Sequence, residues 1–249
     1  MIAYFLSDLH LKTMEESNSQ KLLLFLHSLA EKKQSVTHLF LVGDIFDLWI
    51  SDHQYFVEKF LKIVNAIKVV VQKGVEVHYF EGNHDLYLKK FWQQEVGVRV
   101  HEGPEFFKLG PYQVRVEHGD FMNPDDKGYL FLRAFLRSDP LKKIAKNLPG
   151  RFVKSIGQRA SRMSRSYTSN QKKMHEEQVK EFMRTYADTE ISKKPFDFLI
   201  TGHTHVEDIY HFDYEGSEVR SINLGSWFET QKVLELREDG FRFEEVEEF

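Results

Sequence analysis

The chain of 249 residues is long enough for one large domain with a substantial core, and its 41% hydrophobic and 29% charged content is that of an ordinary globular protein. A net charge of −4 excludes a globally basic nucleic-acid binder. The absence of cysteine excludes disulfides, thiolate metal sites and a cysteine nucleophile, so any metal must be held by imidazole, carboxylate, amide or water.

Taken in chain order, Ile2–Leu6 reads as a short buried strand. It lacks a basic flank and runs straight into Ser7-Asp8-Leu9-His10, which argues against a signal peptide and for the first core strand of a cytoplasmic protein. Leu22, Leu23, Phe25, Leu26 and Leu29 recur on a helical period, predicting a helix over 20–31. A strand follows over 38–42, then one amphipathic helix over 55–72 that stops at Lys73-Gly74, then a strand over 75–80. This alternation predicts an α/β core. Further strands are expected over 106–109, 113–117, 196–200, 207–212, 219–223, 231–237 and 241–246, bounded by turns such as Glu215-Gly216 and Asp239-Gly240. No apolar run is long enough to span a bilayer.

Residues 123–194 break the alternation. They read as a helical insertion, or lid, within a single domain covering 1–249, interrupted at Asp139-Pro140 and Pro149-Gly150. Between Pro140 and His175 there are ten Lys and Arg and no Asp or Glu, which leaves 24 basic against 38 acidic residues elsewhere. The molecule is thus an acidic body carrying a basic patch.

Five of the predicted strands end in metal-binding chemistry: Asp8-Leu9-His10, Gly43-Asp44-Ile45-Phe46-Asp47, Gly82-Asn83-His84-Asp85, His118-Gly119-Asp120 and Gly202-His203-Thr204-His205. Any one of them is an ordinary strand-end turn. All five together, each behind an apolar strand, point to one shared site, because an open α/β sheet binds ligands beyond the carboxyl ends of its strands. Oxygen and imidazole donors suit Mn²⁺, Fe²⁺, Zn²⁺ or Co²⁺. Asp8, His10, Asp44, Asn83, His118, His203 and His205 are too many ligands for one ion and suit two that share a carboxylate.

These motifs, Asp-x-His, Gly-Asp-x-x-Asp, Gly-Asn-His-Asp, His-Gly and Gly-His-x-His, resemble those of the calcineurin-like metallophosphoesterases over 8–205. The resemblance implies two packed mixed β-sheets flanked by helices. It implies one divalent ion on Asp8, His10 and His205 and a second on Asn83, His118 and His203, bridged by Asp44, with Mn²⁺ the first expectation. It also implies that His84 binds no metal. That histidine would reach the phosphate, oriented by Asp47 in a histidine–carboxylate pair, while metal-activated hydroxide attacks phosphorus.

A closer similarity is to the UDP-2,3-diacylglucosamine pyrophosphatases of lipid A synthesis. It rests on Phe5 through Leu11, Gly43 through Ile50, and His118-Gly119-Asp120 followed by Asp125-Asp126 and Tyr129. It implies hydrolysis to UMP and 2,3-diacylglucosamine 1-phosphate at the inner face of the cytoplasmic membrane. Asp126 matches a substrate-contacting acid of that family, although Asp125-Asp126 equally suits a helix cap. Arg159, Arg162 and Arg165 are spaced as helix neighbours that can grip phosphate, and Tyr129, Leu130, Phe131, Leu132, Phe135 and Leu136 either line an acyl groove or pack on the core. The basic insertion suits a substrate phosphate or an anionic membrane surface. His84 stands where the best-known enterobacterial members carry arginine. The alternative is a soluble metal-dependent phosphodiesterase or phosphatase with a small or protein substrate. A nucleic-acid partner lacks an aromatic-interleaved basic strand to support it.

Overall fold

The computed structural model describes residues 1–31, 36–147 and 176–246. The central sheet has β1 (Ile2–Leu6), β2 (His38–Leu41), β4 (Glu76–Phe80) and β6 (Arg99–His101) running parallel. On the other side of β1, β12 (Lys232–Arg237) and β13 (Gly240–Glu245) are added antiparallel. The order is β13-β12-β1-β2-β4-β6. A second, five-stranded sheet is built from β7 (Glu105–Leu109), β8 (Tyr112–Val116), β9 (Phe198–Thr201), β10 (Glu207–Tyr214) and β11 (Ser217–Leu224), in the order β10-β11-β9-β8-β7. The expected α/β arrangement of two packed mixed sheets with flanking helices is therefore present.

The strand sequences explain the layering. Side chains alternate across a strand, and β1 is apolar on both faces. Ala3 and Phe5 join Phe40, Val42, Phe80, Val114, Val116, Phe198, Ile200, Ile222, Leu234 and Leu236 between the sheets. Tyr4 and Leu6 face the other way and pack with Phe25, Leu26, Ile63 and Ile67 of the helices. Phe5 and Phe40 stack with ring centroids 4.4 Å apart. Each such buried ring contributes roughly 1.5–3 kcal/mol of transfer free energy.

The helical face carries α1 (Ser17–Glu31), α2 (Gln54–Lys59) and α3 (Leu61–Gln72). The single helix expected over 55–72 is two. Phe60 leaves helical geometry at φ −115°, ψ 25°. This lets Phe56 and Phe60 both pack toward Trp49, with Phe60 4.5 Å from Phe46. Also unanticipated are a two-stranded ribbon of β3 (Trp49–Ile50) and β5 (Asp85–Leu86), and a π-helical segment Lys89–Val96. The ribbon's strands are too short to show a period.

Within the stretch read as an insertion lie α4 (Lys127–Leu136), α5 (Asp139–Asn147) and α6 (Glu176–Lys193). Asp139-Pro140 opens a helix: Lys142 N–H reaches Ser138 O, and Pro140 sits in the first turn, where its missing N–H costs nothing. Among the described residues, no helix is long and apolar enough to cross a membrane.

Candidate metal centre

The carboxyl ends of β1, β2, β4, β8 and β9 converge, so the five polar strand ends meet as the sequence predicts. The loops are held together mainly by backbone. Asp8 N–H donates to Gly43 O, His10 N–H to Asp44 O, and Gly202 N–H to His118 O, at 3.0–3.1 Å. Five of the predicted ligands adopt left-handed backbone: Asp8 (φ 54°), His10 (47°), Asp44 (52°), His203 (70°) and His205 (60°). Such conformations are unfavourable for residues with a Cβ and gather where function demands them.

Two glycines are required by close approach. A Cβ on Gly82 would overlap the Asp44 carboxylate, and one on Gly202 would overlap the Asp8 carboxylate and Ser7.

On one side of the centre, His205 Nε2 lies 3.2 Å and His10 Nε2 3.8 Å from Asp8 Oδ1, and the two imidazole Nε2 atoms are 3.1 Å apart. On the other, Asn83 Oδ1 lies 3.2 Å from His118 Nε2 and 3.1 Å from His203 Nδ1. Asp44 Oδ2 stands between the two sets, 3.7 Å from His10 Nε2 and 3.7 Å from His118 Nε2. Its other oxygen accepts the His84 N–H at 2.9 Å. His118 Nδ1 donates to Val42 O at 2.9 Å, which fixes the tautomer and leaves Nε2 bare toward the centre, as a ligating imidazole requires.

The electrostatics suit cations. Asp8, Asp44 and His118 are almost wholly buried. Asp8 Oδ1 has no hydrogen-bond partner. Burial opposes ionisation of Asp8, but the flanking His10 and His205 hold its carboxyl well below the usual range. Asp44 is pushed well above that range by burial and then by Asp85 and Asp8. Burial, then His118, pushes His203 down to about 3, so this ring is neutral and can ligate near pH 7. Crowded buried carboxylates with bare imidazole nitrogens form a donor set that divalent ions fit.

His84 lies against this centre, its ring edge-on to His10 at 4.7 Å. Its Nδ1 bonds the main-chain carbonyl of Asp47 at 2.8 Å, so the residue expected to orient it does contact it. A carbonyl only accepts, so Nδ1 carries the proton and Nε2 is the ring atom that can exchange one. Burial, then His10, pushes His84 down to about 3.

Asp126 is the N-cap of α4, accepting Tyr129 N–H at 2.9 Å, which is the capping role the sequence left open. Tyr129 places its ring 5.7 Å from that of His203. Phe131, Leu132 and Phe135 are 75%, 42% and 53% exposed, so core packing does not explain them. Arg159, Arg162 and Arg165 lie outside the described residues.

Several contributors were not anticipated. Asp85 braces the centre: its carboxylate accepts from Asp44 N, Ile45 N, Gly82 N and Tyr79 OH at 2.6–3.1 Å. Arg133 Nε bonds Asp120 at 2.7 Å. Arg137 bonds the Glu81 carboxylate at 3.0 Å and the carbonyls of Glu81 and Gly82 at 3.2 and 3.1 Å. Their four-residue spacing was the available signal, since it puts both arginines on one helix face. Phe228, 54% exposed, stacks on His10 at 5.5 Å.

The calcineurin-like phosphoesterase family matches residues 1–207. The chain belongs to that family. It is 28% identical over 243 residues to the UDP-2,3-diacylglucosamine hydrolase of Nitrosococcus oceani, covering 98% of this chain and 94% of that one. It is 28% identical to the enzyme of the same name from an Enterobacter species, over 96% and 97% of the two chains. Among solved structures, an archaeal phosphodiesterase shares the fold, with a TM-score of 0.51 at 12% identity over 98% of this chain and 99% of that one. The protein is a metal-dependent phosphoesterase, a hydrolase that uses divalent metal.

Proposed function

We propose that the protein is a two-metal pyrophosphatase that hydrolyses UDP-2,3-diacylglucosamine to UMP and 2,3-diacylglucosamine 1-phosphate. The observation that carries the two-metal part is the position of Asp44 Oδ2, equidistant from His10 and His118. Asp8, His10 and His205 would hold one ion, Asn83, His118 and His203 the other, and Asp44 both, with Mn²⁺ the expected metal. The substrate assignment is supported by relatives of that name aligned along nearly the whole chain.

When bound, two divalent ions polarise the phosphoryl oxygens and lower the pKa of a coordinated water. The chain's own residues do the rest. Asp8 and Asp44 fix the negative charge that positions the cations. His84, held by the Asp47 carbonyl, presents Nε2 to the phosphoryl group. Its ring is neutral before substrate arrives, so donating there requires a second proton, which an incoming anionic phosphate favours. Tyr129 shields the His203 side. Arg133 and Arg137 dock α4 against the loops of Asp120 and Asn83. The exposed Phe131, Leu132 and Phe135 offer an apolar surface to the acyl chains and bring the site to a membrane face.

The test is turnover with Mn²⁺ on UDP-2,3-diacylglucosamine in detergent micelles, run beside bis(p-nitrophenyl) phosphate. Fast UMP release with little diester cleavage is expected. The reverse pattern would overturn the lipid substrate and reassign the site to a soluble diester.

A further inference from the structure

At the opposite end of the same parallel strands lies a second group of metal-binding side chains. His38 and Glu76 are in-register neighbours at the starts of β2 and β4, and His78 is two residues further along β4. A ring nitrogen of each histidine and a carboxylate oxygen of Glu76 all lie within 4.8 Å of one another. We propose that His38, Glu76 and His78 form a mononuclear site for a borderline divalent ion such as Zn²⁺, separate from the centre at the strands' carboxyl ends.

The hydrogen bonds define what each side chain offers. Thr37 Oγ1 donates its own proton to Ile2 O at 2.8 Å, so it accepts from His38 Nδ1 at 2.9 Å. His38 therefore has its proton on Nδ1 and a lone pair on Nε2. That lone pair faces Glu76 Oε2 at 3.5 Å. Two acceptors this close repel unless a proton or a metal cation lies between them. The separation is close to the edge of a tetrahedron with metal–ligand bonds of about 2.1 Å, roughly 3.4 Å.

His78 completes the set. Its Nδ1 is engaged by His101 Nε2 at 2.9 Å, a contact of the kind that orients ligating imidazoles. Its Nε2 is buried and has no hydrogen-bond partner, and the whole residue is 2% exposed. A buried ring nitrogen without a partner costs about 1–3 kcal/mol, and a bound cation removes that cost. Arg99 pairs with the other oxygen of Glu76, so Oε2 remains the one directed at His38. His38 and Glu76 are partly exposed, which gives an ion a path in. The donor set is two imidazoles and one carboxylate, leaving one position for water.

The test compares metal uptake by the full chain and two variants, His38→Gln and Glu76→Gln, both at partly exposed positions that tolerate polar replacement. Protein stripped with chelator is dialysed against buffered micromolar Zn²⁺ and its metal content measured by mass spectrometry. Wild type is expected to retain one equivalent per chain more than either variant, with UMP release from UDP-2,3-diacylglucosamine unchanged. Zn²⁺ should also shift the His78 Nε2 resonance in ¹⁵N-histidine-labelled wild type and leave it in place in both variants. Equal uptake by all three proteins, or an unmoved His78 signal in wild type, would overturn the site.

Discussion

The main-chain N–H of His203 donates to Asp8 Oδ2 at 2.8 Å, joining loops that stand 195 residues apart in the chain. The bond forms only because Gly202 brings the backbone against the carboxylate. Gly202→Ala drives a Cβ into Asp8 and Ser7. The expected result is a loss of about 1–3 kcal/mol in denaturant stability together with reduced metal retention. Wild-type stability and metal content in this variant would contradict the close approach.

Asp44→Asn separates charge from shape. The amide oxygen can still accept the His84 N–H, but the shared negative charge is gone. Turnover should fall by about 10²–10³-fold or more, with metal content reduced. In chelated protein the same variant should be at least as stable as wild type, because it relieves a buried carboxylate crowded by Asp85 and Asp8. Denaturant melts with and without metal read both effects.

His84→Ala should leave metal content intact and lower kcat by about 10²–10⁴-fold. Metal analysis beside steady-state kinetics distinguishes this from a ligand. A coincident loss of metal would make His84 part of the donor set.

Arg137→Ala removes the partner of a buried carboxylate. Burial already pushes Glu81 up to about 7, and the Arg137 guanidinium opposes that shift. Breaking such a pair costs about 3–5 kcal/mol. Adding Glu81→Gln should recover much of it. If the double variant is no more stable than the single, the pairing is not the source of the loss.

The buried His78 imposes a pH dependence on stability. Burial, then His101, pushes its ring from 6.5 down to about 3. The unfolded chain therefore binds the proton more readily across that window. Stability from this group is complete above pH 6.5 and declines as pH falls toward 3, by up to ~1.4 kcal/mol per unit. Between pH 7 and 5, metal-free His78→Gln should lose about 2 kcal/mol less than wild type in urea unfolding. Parallel losses would show that His78 is protonated in the folded state.

The cluster was legible because its Asp, Asn and His side chains sit at fixed short spacings behind apolar strands, and both signals are local. Asp8, His10, His203 and His205 follow from that pattern alone. The Asp47 carbonyl was not, because a main-chain acceptor leaves no trace in residue type. Asp85 stood in a recognised motif, yet its role as a brace depends on Tyr79 and on Ile45, 40 residues away. The break at Phe60 was hidden because both halves keep one apolar period, and only packing against Phe46 and Trp49 separates them. Arg133 and Arg137 were overlooked beside the larger basic cluster downstream.

The proposed ligand set spans Asp8 to His205, and no half of the chain contains it. During synthesis the first strand, the second and the Asn83 loop leave the ribosome long before His203 exists. Parallel pairing of β1, β2 and β4 can begin early, but the metal centre cannot close until β9 has docked beside β8. With the metal held as proposed, loading would be a late event in the life of each molecule and would report that nearly the whole polypeptide has reached its place.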